Sequence, residues 1–78
     1  MRRQRSQVIP LLRQTYGLTS AEIRVTELVS AGRSVEEVAQ RLGISANTLK
    51  SHLRQIYAKT NVDSRARLVK LVLSLSTP

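Results

Sequence analysis

The residues of this chain best equipped for chemistry lie between Ala46 and Thr60, where Asn47, Lys50, Ser51, Arg54 and Gln55 recur at spacings that put them on one side of a helix. At about 100° per residue, these five and Ala58 share one arc, with Lys50 at its edge. Leu49, Leu53, Ile56 and Tyr57 share the opposite arc. Such a set can donate and accept hydrogen bonds toward a polar surface; it has no means of making or breaking bonds. Arg or Lys can donate to guanine O6 and N7, Asn or Gln can pair with adenine N6 and N7, and Ser suits several base edges. Asn47, Lys50, Ser51 and Arg54 are therefore candidates for contact with bases, and Ser51 and Ala58 are small enough for close approach. Thr48, His52 and Lys59 fall on a flanking arc. There a hydroxyl, an imidazole and an ammonium would meet phosphates, which position a protein on a duplex without reading its sequence.

Catalytic alternatives lack their parts. The single His52 sits on a helix flank with no Ser-His-Asp partnership in prospect, and the three glycines are too scattered for a phosphate-cradling loop. Without Cys, and with one His, there is no thiol nucleophile, no disulfide and no zinc-ligand cluster, so neither a metal nor a cofactor is expected and the chain does not read as an enzyme.

The elements that must position the polar arc follow from local signals. Ser34 and Glu37 have the spacing of a capping box, and Val35, Val38, Ala39 and Leu42 then form one face of a 3.6-residue period that Gly43 can end. Ser45 is the next N-cap, opening a helix over about 46–60 after the tight connection Gly43-Ile44-Ser45. Two short helices joined by so short a turn, the second carrying outward donors, are the layout of a helix-turn-helix DNA reader.

Upstream, Thr19 and Glu22 repeat the capping-box spacing, and Val25, Leu28 and Val29 supply a core face up to Gly32. Val8, Ile9, Leu12 and Tyr16 have helical spacing with Gly17 as terminator, although Pro10 limits how early a regular helix can begin. Arg2, Arg3 and Arg5, with Gln4 and Ser6, read as a polar arm. Downstream, Asp63 or Ser64 caps a last helix over about 64–75. The fold class is all-α: a compact domain of four helices plus a short N-terminal helix. Residues 1–17 form the basic arm and short helix, 18–75 the helix-turn-helix domain and 76–78 a tail.

Charge agrees with a polyanionic partner. Thirteen Lys and Arg against five acids give a net charge of +8 over 78 residues. The imbalance is uneven: residues 38–78 hold seven basic side chains against the lone Asp63. No apolar run is long enough for a membrane span or a signal peptide, so a cytoplasmic protein without a membrane partner is the default expectation.

The motifs taken together resemble the LuxR-type (GerE-type) helix-turn-helix domain of bacterial transcription regulators. The resemblance runs from about Leu18 to Leu73. It is carried by Leu18-Thr19-x-x-Glu22, Gly32, Glu37-Val38-Ala39-x-x-Leu42-x-Ile44-Ser45, Thr48-Leu49-Lys50-x-His52 and Lys59-Thr60-x-Val62-x-x-Arg65. It implies a recognition helix in the major groove with base contacts at Lys50, Ser51 and Arg54, phosphate contacts at Thr48, Lys59 and Arg65, and a two-fold dimer contact through the last helix. Two departures stand out. Arg24 occupies a position where the family usually has a second Glu, so an internal ion pair expected there would be missing or replaced. Thr60 stands where Leu is usual, which changes the packing at that corner. Domains of this family normally end a longer chain with a sensor domain, so the sequence reads as a free-standing regulator or an excised effector.

The last helix points to a dimer on its own account. Leu68, Val69, Leu71, Val72, Leu73 and Leu75 sweep roughly 200° of arc, twice the roughly 100° that one core-facing stripe needs. Val69, Leu71, Val72 and Leu73 are the candidate interface, and a second copy would favour an inverted-repeat site with half-sites about 34 Å apart. A competing reading has the Val8–Tyr16 segment, or a missing domain, covering that surface. Expected partners are double-stranded DNA, a second copy of the chain at least on DNA, and RNA polymerase as a further candidate. The alternative function is a sigma-factor-like promoter-recognition or protein-interaction module with the same motif.

Overall fold

A computed structural model describes residues 5–76 as five helices: α1 Arg5–Tyr16, α2 Ser20–Ser30, α3 Val35–Leu42, α4 Ala46–Thr60 and α5 Arg65–Ser76. Residues 2–4 of the proposed arm and residues 77–78 of the tail lie outside the described residues, whereas Arg5 and Ser6 belong to α1.

Helix starts follow the caps. Thr19 Oγ1 accepts from the Glu22 N–H at 3.2 Å while Glu22 Oε1 accepts from the Thr19 N–H at 2.9 Å, and Ser34 and Glu37 make the same reciprocal pair at the start of α3. Each box satisfies donors that a helix start otherwise leaves unpaired. For α5 the cap is Ser64, whose Oγ accepts from the Arg67 N–H at 3.2 Å.

Two left-handed helix ends frame α4. Gly43 closes α3 at φ 68°, and the Ile44 N–H reaches back to the Ala39 carbonyl at 3.0 Å. That turn needs a left-handed residue, which glycine adopts without the backbone strain that a side chain brings there. At the end of α4 Asn61 takes the same conformation at φ 58°, with the Val62 N–H on the Tyr57 carbonyl at 3.0 Å. Asn is one of the few side-chain-bearing residues that visit this region routinely.

The core joins every helix: Val8 and Leu12 of α1, Ile23, Val25, Leu28 and Val29 of α2, Val38 and Ala39 of α3, Leu49, Leu53 and Ile56 of α4, and Leu68 of α5. α2 is central, packing on each of the other four, while α4 lies across α2 and α3, and α1 rests on α5.

Pro10 does not delay α1, contrary to the expectation from its ring. It sits inside the helix, five residues after its start, and is exposed. At that depth it removes one ladder bond from the middle of the helix, and burial of Val8 and Leu12 on the same element offsets the loss. The contact of α1 with α5 also covers part of the apolar arc of the last helix, as the competing reading anticipated.

Candidate nucleic-acid interface

α4 presents two chemically distinct sides. Leu49 and Ile56 are fully buried and Leu53 nearly so, whereas Asn47, Lys50, Ser51, Arg54, Gln55 and Ala58 are all exposed. The helix contains no acidic residue from Ala46 to Thr60, so nothing on it neutralises Lys50 or Arg54. The outward side is a row of donors on a helix capped at both ends.

The flanking groups are positioned differently from one another. At the helix start, Ser45 Oγ accepts from the Thr48 N–H at 3.1 Å and donates to Thr48 Oγ1 at 2.9 Å. The exposed Thr48 hydroxyl thus keeps its own proton for an acceptor outside the protein. His52 is half-buried on the same flank.

Lys59 is held. Its Nζ lies 2.7 Å from Glu22 Oε1, and Glu22 is only 2% exposed. Burial alone would raise the Glu22 pKa, but hydrogen bonds from Lys59 and from the Thr19 backbone, with the Lys59 charge, bring it below the ordinary carboxylate value. Arg24 is exposed, and the internal ion pair of the described residues is made instead by Glu22 with Lys59. The second departure is also accommodated. Thr60 is buried and its hydroxyl donates to the Ile56 carbonyl at 2.7 Å, so no polar group is orphaned at that corner.

Arg65, exposed at the start of α5, extends Nη1 to the carbonyl of Arg33 at 3.4 Å. Its charge also acts on Tyr57, where burial raises the phenol pKa and Arg65 opposes the rise. Asp63, the acid nearest α4 in sequence, pairs with Arg67 at 3.0 Å on the surface.

The candidate dimer residues divide. Val69 and Val72 pack partly against this chain's own core, Leu71 is half-buried, and Leu73 is 59% exposed. Among the described residues no group of three or more His, Cys, Asp or Glu could hold a metal ion, and no helix is long and apolar enough to cross a membrane.

Two participants escape sequence reasoning. Glu22 reads there only as a cap, because its partner is 37 residues away. Arg33 carries no signal beyond its charge, since only folding brings it to Arg65.

Residues 16–72 match GerE, the luxR family of bacterial regulatory proteins, and the chain belongs to that family. It is accordingly a helix-turn-helix domain of DNA-binding transcription regulation. The chain is 37% identical over 62 residues to the HTH-type transcriptional regulator MalT of Vibrio cholerae serotype O1, covering 80% of this chain and 7% of that protein. It is 44% identical over 52 residues to a putative HTH-type transcriptional regulator of Mycobacterium tuberculosis, covering 67% of this chain and 6% of the relative. The monoamine regulon transcriptional regulator of Klebsiella aerogenes is also 44% identical over 52 residues, with 67% of this chain and 23% of that protein covered. The chain thus spans a small part of each of these relatives. No solved structure matches it.

Proposed function

We propose that this domain reads duplex DNA by laying α4 in the major groove, with Asn47, Lys50, Ser51 and Arg54 on base edges. The observation that carries this reading is the two-sided character of α4: fully buried Leu49 and Ile56 opposite an exposed, acid-free row of donors. A protein partner would more usually be met by an apolar centre, whereas base edges and phosphates call for this donor set.

Thr48, His52 and Arg65 contact phosphates on either side of the groove, and Lys59 contributes through the donors that Glu22 leaves unused. The domain works in pairs through α5, where Leu73 remains more than half exposed beside Val69, one turn away. Val72, which also packs partly against the chain's own core, and half-buried Leu71 flank that contact. Two copies would place two α4 helices on half-sites about 34 Å apart.

Selection from a pool of random duplexes, with sequencing of the bound fraction, tests this reading. It predicts an enriched motif arranged as an inverted repeat. Recovery of unenriched sequence would overturn specific reading, and enrichment of a lone half-site would overturn pairing.

A further inference from the structure

Arg33 lies in the turn between α2 and α3, Arg65 at the start of α5 and Tyr57 on α4, far apart in sequence yet drawn to one corner of the fold. Arg65 Nη1 approaches the Arg33 carbonyl at 3.4 Å, and the Arg65 charge acts on the Tyr57 phenol. By angular position Tyr57 adjoins Lys50 on α4, so this corner borders the reading face on the Lys50 side.

The charge here is poorly compensated. Arg33 has one nearby carboxylate, Glu37 Oε2 at 3.7 Å, in a pair whose Arg33 side is half-buried and whose Glu37 side is exposed. The other oxygen of Glu37 is engaged by the Ser34 cap. Arg33 Nε is buried without a hydrogen-bond partner. A guanidinium offers five donors in a planar fork suited to phosphate oxygens, and here most of them have no acceptor within the protein. Two arginines at one corner attract an anion that could lie against both.

We infer that Arg33 and Arg65 together grip one phosphate of the DNA backbone beside the groove that α4 enters, fixing the depth and tilt of the reading helix. This rests on the DNA-reading role proposed above and adds Arg33 to it. Arg33 is a positioning residue: it carries no base information, and Glu37 swings to its cap role alone when the phosphate displaces it. The Tyr57 phenol, neutral at physiological pH as any phenol is, lies close enough to Arg65 for that charge to act on it.

The test is fluorescence anisotropy of the full chain with the selected duplex and a scrambled one across a salt series, for the parent chain, Arg33→Gln, Arg65→Gln and the double variant. Arg13→Gln, an exposed arginine on α1, is the control for general loss of charge. Each single variant at the clamp is expected to flatten the slope of log affinity against log salt by about one unit, equally on both duplexes. The preference for the selected duplex stays unchanged. Because both side chains hold the same phosphate, the double variant loses less than the two single losses combined. An Arg33→Gln slope equal to that of the parent, or a loss no larger than that of Arg13→Gln, overturns the clamp while leaving the reading of DNA by α4 intact. Equal affinity of the parent for both duplexes removes specific reading and leaves the clamp standing if the slope changes persist. Absence of binding to any duplex overturns both.

Discussion

Lys59 Nζ stands 2.7 Å from Glu22 Oε1, joining the last turn of α4 to the first turn of α2 through a carboxylate that is almost wholly buried. The same carboxylate accepts the Thr19 N–H, so one side chain caps α2 and anchors α4. The orientation of the donor row is thereby tied to the central helix of the core.

Removing Lys59 leaves that carboxylate without its counter-charge. Lys59→Ala is expected to destabilise the fold by about 1 to 2 kcal/mol, between the values for exposed and fully buried pairs, because the lysine side chain is itself partly exposed. Urea denaturation without DNA measures it. A loss indistinguishable from zero would mean that the pair does not hold α4.

Acid should act through the same group. The folded-state pKa of Glu22 is lowered from its ordinary value of 4.5, so the unfolded chain takes up the proton first as pH falls. Its contribution to stability is complete above that ordinary value and is lost as pH drops through the lower folded-state pKa. Urea midpoints followed from neutral to about pH 3 should decline less steeply for Glu22→Gln than for the parent chain; parallel curves would contradict the assignment.

The turn between α3 and α4 makes a backbone prediction. Gly43 has φ 68° with open space around its missing Cβ, so Gly43→Ala meets conformational strain without a steric clash. The expected cost is about 1 to 2 kcal/mol. Asn61→Gly, at φ 58°, should be neutral or mildly stabilising, and thermal denaturation of the two variants compares them directly.

The proposed dimer contact and the core are separable on α5. Leu73→Glu should weaken cooperative binding to a two-site duplex while sparing a single half-site. Leu68→Ala, at a fully buried position, should lower stability by about 2 to 5 kcal/mol and reduce binding to both probes together. Equal losses on both probes for Leu73→Glu would place it in the fold and not in the contact.

What the sequence makes legible is local. Capping boxes at Thr19 and Ser34 depend on residues three apart, and the i, i+3, i+4 stripe of α4 depends on one helical period, so both can be read without a fold. The arc containing Asn47, Lys50, Ser51 and Arg54 emerges exposed for the same reason. Pro10 misleads because its cost is local while the burial of Val8 and Leu12 that offsets it is tertiary. The Glu22–Lys59 and Arg33–Arg65 contacts stay hidden because they join elements brought together only by packing around α2. Asn61 is an intermediate case: its left-handed cap is within the habits of Asn, but nothing nearby distinguishes it from an ordinary surface residue.

Base reading by α4 is the central claim, and Arg54→Ala compared with the parent chain on every single-base variant of the selected duplex tests it most directly. The variant is expected to lose preference at one base position, by about 1 to 3 kcal/mol, and to keep it at the others. A uniform loss across all duplexes, or none, would contradict it.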